Sequence, residues 1–293
     1  MSMDEYLQLK MFSSSLARAL LAYSPFHAKF EQDNRSDDAN KASDIGTAIH
    51  SALLEGVDGV RLIDPEMYVG KKGGVPKGWT NDKIREARDL ARLEGAIPLL
   101  PDDYLAVNQA VIAAKEFIAE SEIAGVFDSG KPEQVLIWEE TGSSVVVCKA
   151  RPDWWNLELG IMLHLKTTAG SAGPGPFPRV VDSMGYDDAL MFYERGAAAV
   201  GLEVRRNVIL AVEQDGPHAA ALYDLAPTMA DIASRRIDRA IRTWQQCTAS
   251  GKWPAYDKRI HSLEPKPWQI AEEEERDLND TYDQLQEREG LQP

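Results

Sequence analysis

Near Glu133 the apolar residues of this sequence change their period, and that change decides the fold class. Before it they recur at helical spacing. Leu16, Leu20 and Leu21 share one face over 13–23, and Ile45, Ile49, Ala52 and Leu53 share one over 44–55. The first of these helices stops before Ser24-Pro25, because proline disfavours helical backbone in the residue before it. Two further helical stretches cover 81–94 and 103–125. From Gln134 onward the apolar runs are short and β-branched. QVLIW is followed by a turn at Glu140-Thr141-Gly142 and then by SVVVCKA; RPDWWN connects this to a third strand, GIMLHLKTT. A Gly/Pro-rich loop spans 170–178, and 182–200 reads as a helix. RNVILAVEQ is a fourth strand, Asp215-Gly216 turns into AAALYDL, and a helix covers 227–250. Three successive strands, a helix and two more strands imply an α+β fold with a mixed central sheet flanked by helices. The expected divisions are a mainly helical part over 1–130, a sheet-bearing part over 131–268, and an acidic helix or tail over 269–293.

Composition narrows the classes. With 44% hydrophobic and 27% charged residues the chain reads as a soluble globular protein. No apolar run approaches the roughly 18 residues that would span a bilayer. The opening residues lack the basic and apolar regions of a signal peptide. Cys148 and Cys247 have neither metal nor disulfide spacing, so a reducing cytoplasm is expected. A net charge of −15 argues against a general nucleic-acid coat, which replaces counterions with lysine and arginine. It leaves room for a local basic surface.

The residues that could carry chemistry gather around Asp153 and Lys166. Asp153 lies just past one strand and Lys166 within the next, so antiparallel pairing can bring them together. His164 and Lys166 are two apart and share a face of their strand. A lysine among Ile161, Met162, Leu163 and Leu165 needs either a partner or solvent, because burying an unpaired ammonium is costly. It sits on an edge strand beside water, or it belongs to a site. Lys71, Lys72 and Lys77 lie in a glycine-rich loop that lacks the Gly-Lys-Ser/Thr of a Walker A motif. That loop either contacts a phosphate backbone, with Trp79 available to stack on a base, or is simply solvated. His50 could cap a helix face, Glu133 could be a solvated strand start, and Tyr193 could be core packing.

Taken together, Asp153 and the strand ending Leu165-Lys166-Thr167-Thr168 resemble the PD-(D/E)XK nuclease signature. The surrounding blocks resemble the phage exonuclease VIII branch: GTAIHSALLEG with His50, the acidic Glu133, KARPDWW, GYDDALMFYERG with Tyr193, and GKWPAYDKRIHSLEPKPW. PD-xK alone is a weak pattern, but these blocks in order, from SSSLARALLAYSP to Trp268, are specific. The resemblance implies a restriction-endonuclease-like core and a metal-dependent exonuclease of double-stranded DNA, resecting ends 5′→3′ in phage-type recombination. It implies Mg²⁺ or Mn²⁺ held by Asp153, residue 164, the carbonyl of Leu165, Glu133 and His50. Lys166 would work with Asp153 and Glu133 in catalysis, while Tyr193, Arg151, Lys71, Lys72 and Lys77 would face the substrate. It further implies duplex DNA ends and a single-strand annealing protein as partners, and a trimeric or tetrameric ring. Two positions depart from the family pattern. His164 replaces an acidic residue, and Ala189 replaces a glutamine. Magnesium prefers oxygen ligands, whereas imidazole suits manganese and softer metals. The alternative is a DNA-end-binding protein of the same fold with weak or absent hydrolysis. A third reading is an interaction protein that recruits partners through its acidic C-terminal helix.

Overall fold

The computed structural model describes residues 1, 3–34, 44–57, 59–69 and 74–289, which form two units, Met1–Ala255 and Tyr256–Pro293. The second unit is an exposed strand-free segment followed by an acidic helix, Pro267–Glu289, in which Arg276 pairs with Glu272 and Glu273 one turn away.

The first unit begins with helices α1 (Met3–Gln8), α2 (Ser14–Ala22) and α3 (Pro25–Asp33). Ser13 and Ser24 cap α2 and α3, each accepting a backbone N–H three residues on. Helix α4 (Asp44–His50) runs on into a π-helical turn, Ser51–Glu55, closed by Gly56 in the left-handed region at φ 65°. Strands β1 (Val60–Leu62) and β2 (Ile97–Leu99) pair in parallel on either side of α5 (Asp82–Leu93), and α6 (Pro101–Ala119) follows. Next come β3 (Lys131–Pro132), the hairpin β4 (Leu136–Glu140) and β5 (Val146–Ala150), β6 (Trp154–Asn156) and β7 (Ile161–Thr168). Helices α7 (Phe177–Met184) and α8 (Tyr186–Ala199), strands β8 (Arg206–Glu213) and β9 (Ala220–Tyr223), and helix α9 (Pro227–Ser250) complete the unit. The single helix expected over 182–200 is thus two, separated by Gly185 at φ 63°.

The central sheet has the order β3-β6-β7-β8-β9 and is mixed. β6 and β7 are antiparallel, β7 and β8 are parallel over their whole lengths, and β8 and β9 are antiparallel. QVLIW and SVVVCKA do not enter this sheet; they form the separate hairpin β4-β5. The strand beside β7 comes instead from WWN, inside the segment that reads as a connection. Its alternation explains this: Trp154 packs into the core under α4 and α6, and Trp155 into the opposite core under α2, α8 and α9. β7 is built likewise. Ile161, Leu163 and Leu165 face the α4/α6 core, and Met162 faces the other. His164 and Lys166 therefore point to the Met162 side. Covering both faces of the parallel pair is what makes these strands almost continuously apolar.

The amino-terminal segment is anchored by Lys149 of β5. It is fully buried and donates to the carbonyls of Tyr6 and Leu9, the latter at 2.7 Å. Arg195 of α8 ties three elements together by donating to Glu140 and, at 2.6 Å, to Asp238 of α9.

Candidate active site

The β6/β7 register places Trp154 opposite Leu163, so the residue before Trp154 falls beside His164 and Leu165. Asp153 Oδ2 accepts the Leu165 N–H at 2.8 Å and the Lys166 ammonium at 3.2 Å. Because β7 lies between β6 and β8, Lys166 is not on an edge strand; its partner is Asp153. Burial pushes the Asp153 carboxyl up, but the neighbouring Lys166 ammonium outweighs it and holds the carboxyl below the usual carboxylate range. Burial alone would lower Lys166, yet Asp153 more than compensates and its ammonium is held above the usual value. The pair is ionised.

Glu133 reaches the same point from the opposite direction. It opens no strand: it sits between β3 and β4 with φ 56°, a conformation that non-glycine residues seldom adopt. Its N–H donates to the Asp153 carbonyl at 3.1 Å. That turn carries its carboxylate inward, where Oε1 lies 3.3 Å from His50 Nε2 and Oε2 pairs with the Arg151 guanidinium. His50, at the junction of α4 and the π-helical turn, also lies 4.0 Å from Asp153 Oδ1 and, through Nδ1, 3.6 Å from Glu55. One ligand atom from each of His50, Glu133 and Asp153 lies within 4.8 Å of the others. Burial and the neighbouring Asp153 charge push the Glu133 carboxyl up to about 7, although Arg151 opposes them.

His164 does not join that group among the described residues. Its ring is fully buried, stacked on Tyr193 at a centroid distance of 5.1 Å, and its Nε2 lies 2.8 Å from Asn207 Oδ1. Asn207 spends its amide N–H₂ on the Leu190 carbonyl, so Oδ1 is an acceptor and His164 carries its proton on Nε2. Nδ1 is then a bare lone pair without a hydrogen-bond partner among the described residues. Burial lowers the imidazole to about 4, leaving it neutral.

Tyr193 accepts a hydrogen bond from Ser14 at 3.3 Å and lies partly buried against the α2/α8/α9 core. Arg151 is turned inward: it clamps Glu133, and its guanidinium lies 5.7 Å from the Tyr6 ring centroid. Lys77 is exposed at the start of a short 3₁₀ turn, remote in sequence from these strands. Lys71 and Lys72 lie outside the described residues. The Leu165 carbonyl is in β7, between the two residues whose side chains reach the site. Asn207 and Tyr186, whose ring centroid lies 5.5 Å from Lys166 Nζ, are partners that sequence reasoning missed. Asn207 gave one faint signal, as an amide leading into the apolar run Val208–Val212.

Residues 8–264 match the family described as a PDDEXK-like domain of unknown function. The chain belongs to that family. Among curated proteins none matches the sequence. Of solved structures, a provisionally named exonuclease from Eubacterium rectale aligns with a TM-score of 0.52 at 12% identity, over 92% of this chain and 95% of that one. A phage-related exonuclease from Haemophilus somnus aligns at 8% identity over 83% and 96% of the two chains, with a TM-score of 0.34. The first of these likenesses supports the PDDEXK-like fold. The family match spans the residues that meet at Asp153, from His50 to Lys166.

Proposed function

We propose that this PDDEXK-like protein is a metal-dependent exonuclease of double-stranded DNA that resects ends 5′→3′. The observation that carries the reading is the convergence of His50, Glu133 and Asp153 beside an ionised Lys166. The donor set fits a small divalent cation, Mg²⁺ or Mn²⁺. It offers two carboxylates and one imidazole, and the mutual repulsion of Glu133 and Asp153 is relieved by positive charge between them. When bound there, such an ion polarises a phosphate oxygen and lowers the pKa of a coordinated water.

The protein's own groups supply the rest. Asp153 fixes the Lys166 ammonium, and that pairing keeps Lys166 charged. It therefore serves to stabilise charge on a phosphate in the transition state rather than to abstract a proton. Arg151 aims the Glu133 carboxylate, and the left-handed turn at Glu133 brings it to His50. Action on ends, an annealing protein as partner and a trimeric or tetrameric ring follow from the resemblance of the sequence blocks. The exonuclease name of the Eubacterium rectale protein agrees with the activity.

A second reading, a DNA-end-binding protein with weak or no hydrolysis, is favoured by one observation. Residue 164 is a neutral imidazole with one nitrogen committed to Asn207, where the resemblance expects a carboxylate. Linear and closed circular duplex incubated with Mg²⁺ or Mn²⁺ separate the two. Exonucleolysis predicts loss of linear DNA only, abolished by EDTA, by Asp153→Ala and by Lys166→Ala. Cleavage that persists in EDTA, or equal loss of circles, refutes the proposal. Retention of linear DNA on the protein without degradation establishes the second reading.

A further inference from the structure

β9 is the last strand of the central sheet, and its outer edge is open among the described residues. The Glu213 N–H donates to the Ala219 carbonyl at 3.0 Å, and the β8/β9 register continues this pairing through Ala211 opposite Ala221 and Ile209 opposite Tyr223. In an antiparallel ladder, bonded and non-bonded pairs alternate. Ala221 and Tyr223 thus direct their backbone groups toward β8, and Ala220 and Leu222 direct theirs outward. No backbone group of another element bonds to Ala220 or Leu222 among the described residues.

These outward groups border a groove of about 620 Å³ between β9 and the end of α6. Phe117, Val208 and Leu222 give it an apolar floor. Its rim is acidic: Glu120, Glu122 and Asp224 stand against a single cation, Arg206, which Glu122 already engages at 2.9 Å. Folded proteins usually blunt an open edge with lysine, proline, a bulge or a covering element. Ala220-Ala221-Leu222-Tyr223 contains no lysine or proline, and its register with β8 runs without a bulge.

We propose that this edge is a docking site for an extended, basic peptide segment of another protein, which adds as a sixth strand beside β9. Strand addition would satisfy the outward backbone groups of Ala220 and Leu222, and alternate side chains of the peptide would enter the groove. The carboxylate rim selects lysine or arginine at the intervening positions and repels both nucleic acid and a second copy of a chain whose net charge is −15. This inference does not depend on the nuclease reading.

The test uses the full chain and a labelled Lys-Val-Lys-Val-Lys-Val peptide, with binding read by fluorescence anisotropy and the site by amide hydrogen exchange. Saturable binding is expected, with slowed exchange over residues 219–224. Exchanging lysine for glutamate in the peptide should weaken it about tenfold or more. Ala220→Pro removes an N–H that points away from β8, so the ladder survives while strand addition is blocked, and a similar loss is expected. The exposed double substitution Glu120→Lys with Glu122→Lys leaves the backbone untouched and should produce the same loss even if the proline variant folds poorly. Equal binding of basic and acidic peptides, no slowing of exchange over 219–224, or unchanged affinity in the Glu120→Lys/Glu122→Lys protein overturns the proposal. So does concentration-dependent self-association that Ala220→Pro abolishes, which would make the occupant a second copy of this chain.

Discussion

Glu133→Gln removes a negative charge that the fold holds against its own preference. In the metal-free protein, burial and Asp153 raise the Glu133 carboxyl from its ordinary value near 4.5 to about 7, despite the Arg151 clamp. A carboxyl raised in the folded state binds its proton more tightly there than in the unfolded chain. Its ionisation therefore costs stability as pH rises from the unfolded value through the folded one, and the cost is complete above both. At 1.36 kcal/mol per unit, that difference amounts to about 3 kcal/mol as an upper bound at pH 8. Glutamine keeps the shape and a carbonyl for Arg151 but does not ionise. Metal-free Glu133→Gln should therefore melt higher than the parent at pH 8, by about 1–3 kcal/mol in urea unfolding, with the gap closing toward pH 4. Added Mn²⁺ should reverse the order, since only the parent keeps both carboxylates for the ion and gains stability by binding it. The measurement is urea unfolding followed by tryptophan fluorescence between pH 4 and 8, in EDTA and in Mn²⁺. A variant less stable than the parent at pH 8 in EDTA, or a gap independent of pH, refutes the account of Glu133 as a charge held at a loss.

His164→Asp should have opposite effects with and without metal. It breaks the bond to Asn207 and buries a carboxylate beside Asp153, so the metal-free protein should lose about 1–3 kcal/mol. It also restores an oxygen ligand, so Mg²⁺-supported cleavage of linear duplex should rise about tenfold or more. Unchanged or slower cleavage would make His164 itself a working part of the site. Lys149→Met keeps the aliphatic stem but leaves the Tyr6 and Leu9 carbonyls without their buried donor; a loss of about 1–3 kcal/mol is expected, with faster amide exchange over residues 3–12. Protection unchanged over that segment would show that Lys149 does not anchor it.

The features most legible in the sequence were those written in a local period. The bounds expected for α5 and α9 lie within about a residue of those observed, because apolar stripes and a proline start mark them. The meeting of Asp153 and Lys166 was legible because antiparallel pairing sets the residue next to one strand beside the next strand, although the pairing strand is β6 and not SVVVCKA. Long-range features were not. WWN looks like a connection, yet it pairs with β7, while the stronger runs QVLIW and SVVVCKA form their own hairpin. Strand propensity describes a half-buried ribbon and says nothing of which ribbon is its neighbour. The pairing of Arg151 with Glu133 was not legible, since Glu133 adopts a left-handed backbone that no pattern announces. Asn207 lies far from His164 in sequence and meets it only through the parallel register.

That register gives β7 a division of labour with consequences for how such a protein can change. Ile161, Leu163 and Leu165 hold the α4/α6 core, while His164 and Lys166 point to the opposite face, where Asn207 and Asp153 meet them. Inserting or deleting one residue would exchange the two sets, sending Lys166 into hydrocarbon and leucines to the carboxylates. Replacing a residue in place disturbs neither set. At position 164 Asn207 on the adjoining strand takes up the imidazole ring. Chemistry at this centre is thus free to drift by point substitution while length in β7 is fixed. Homologues that differ in metal preference should differ at 164 and 207 together, within a strand of constant length.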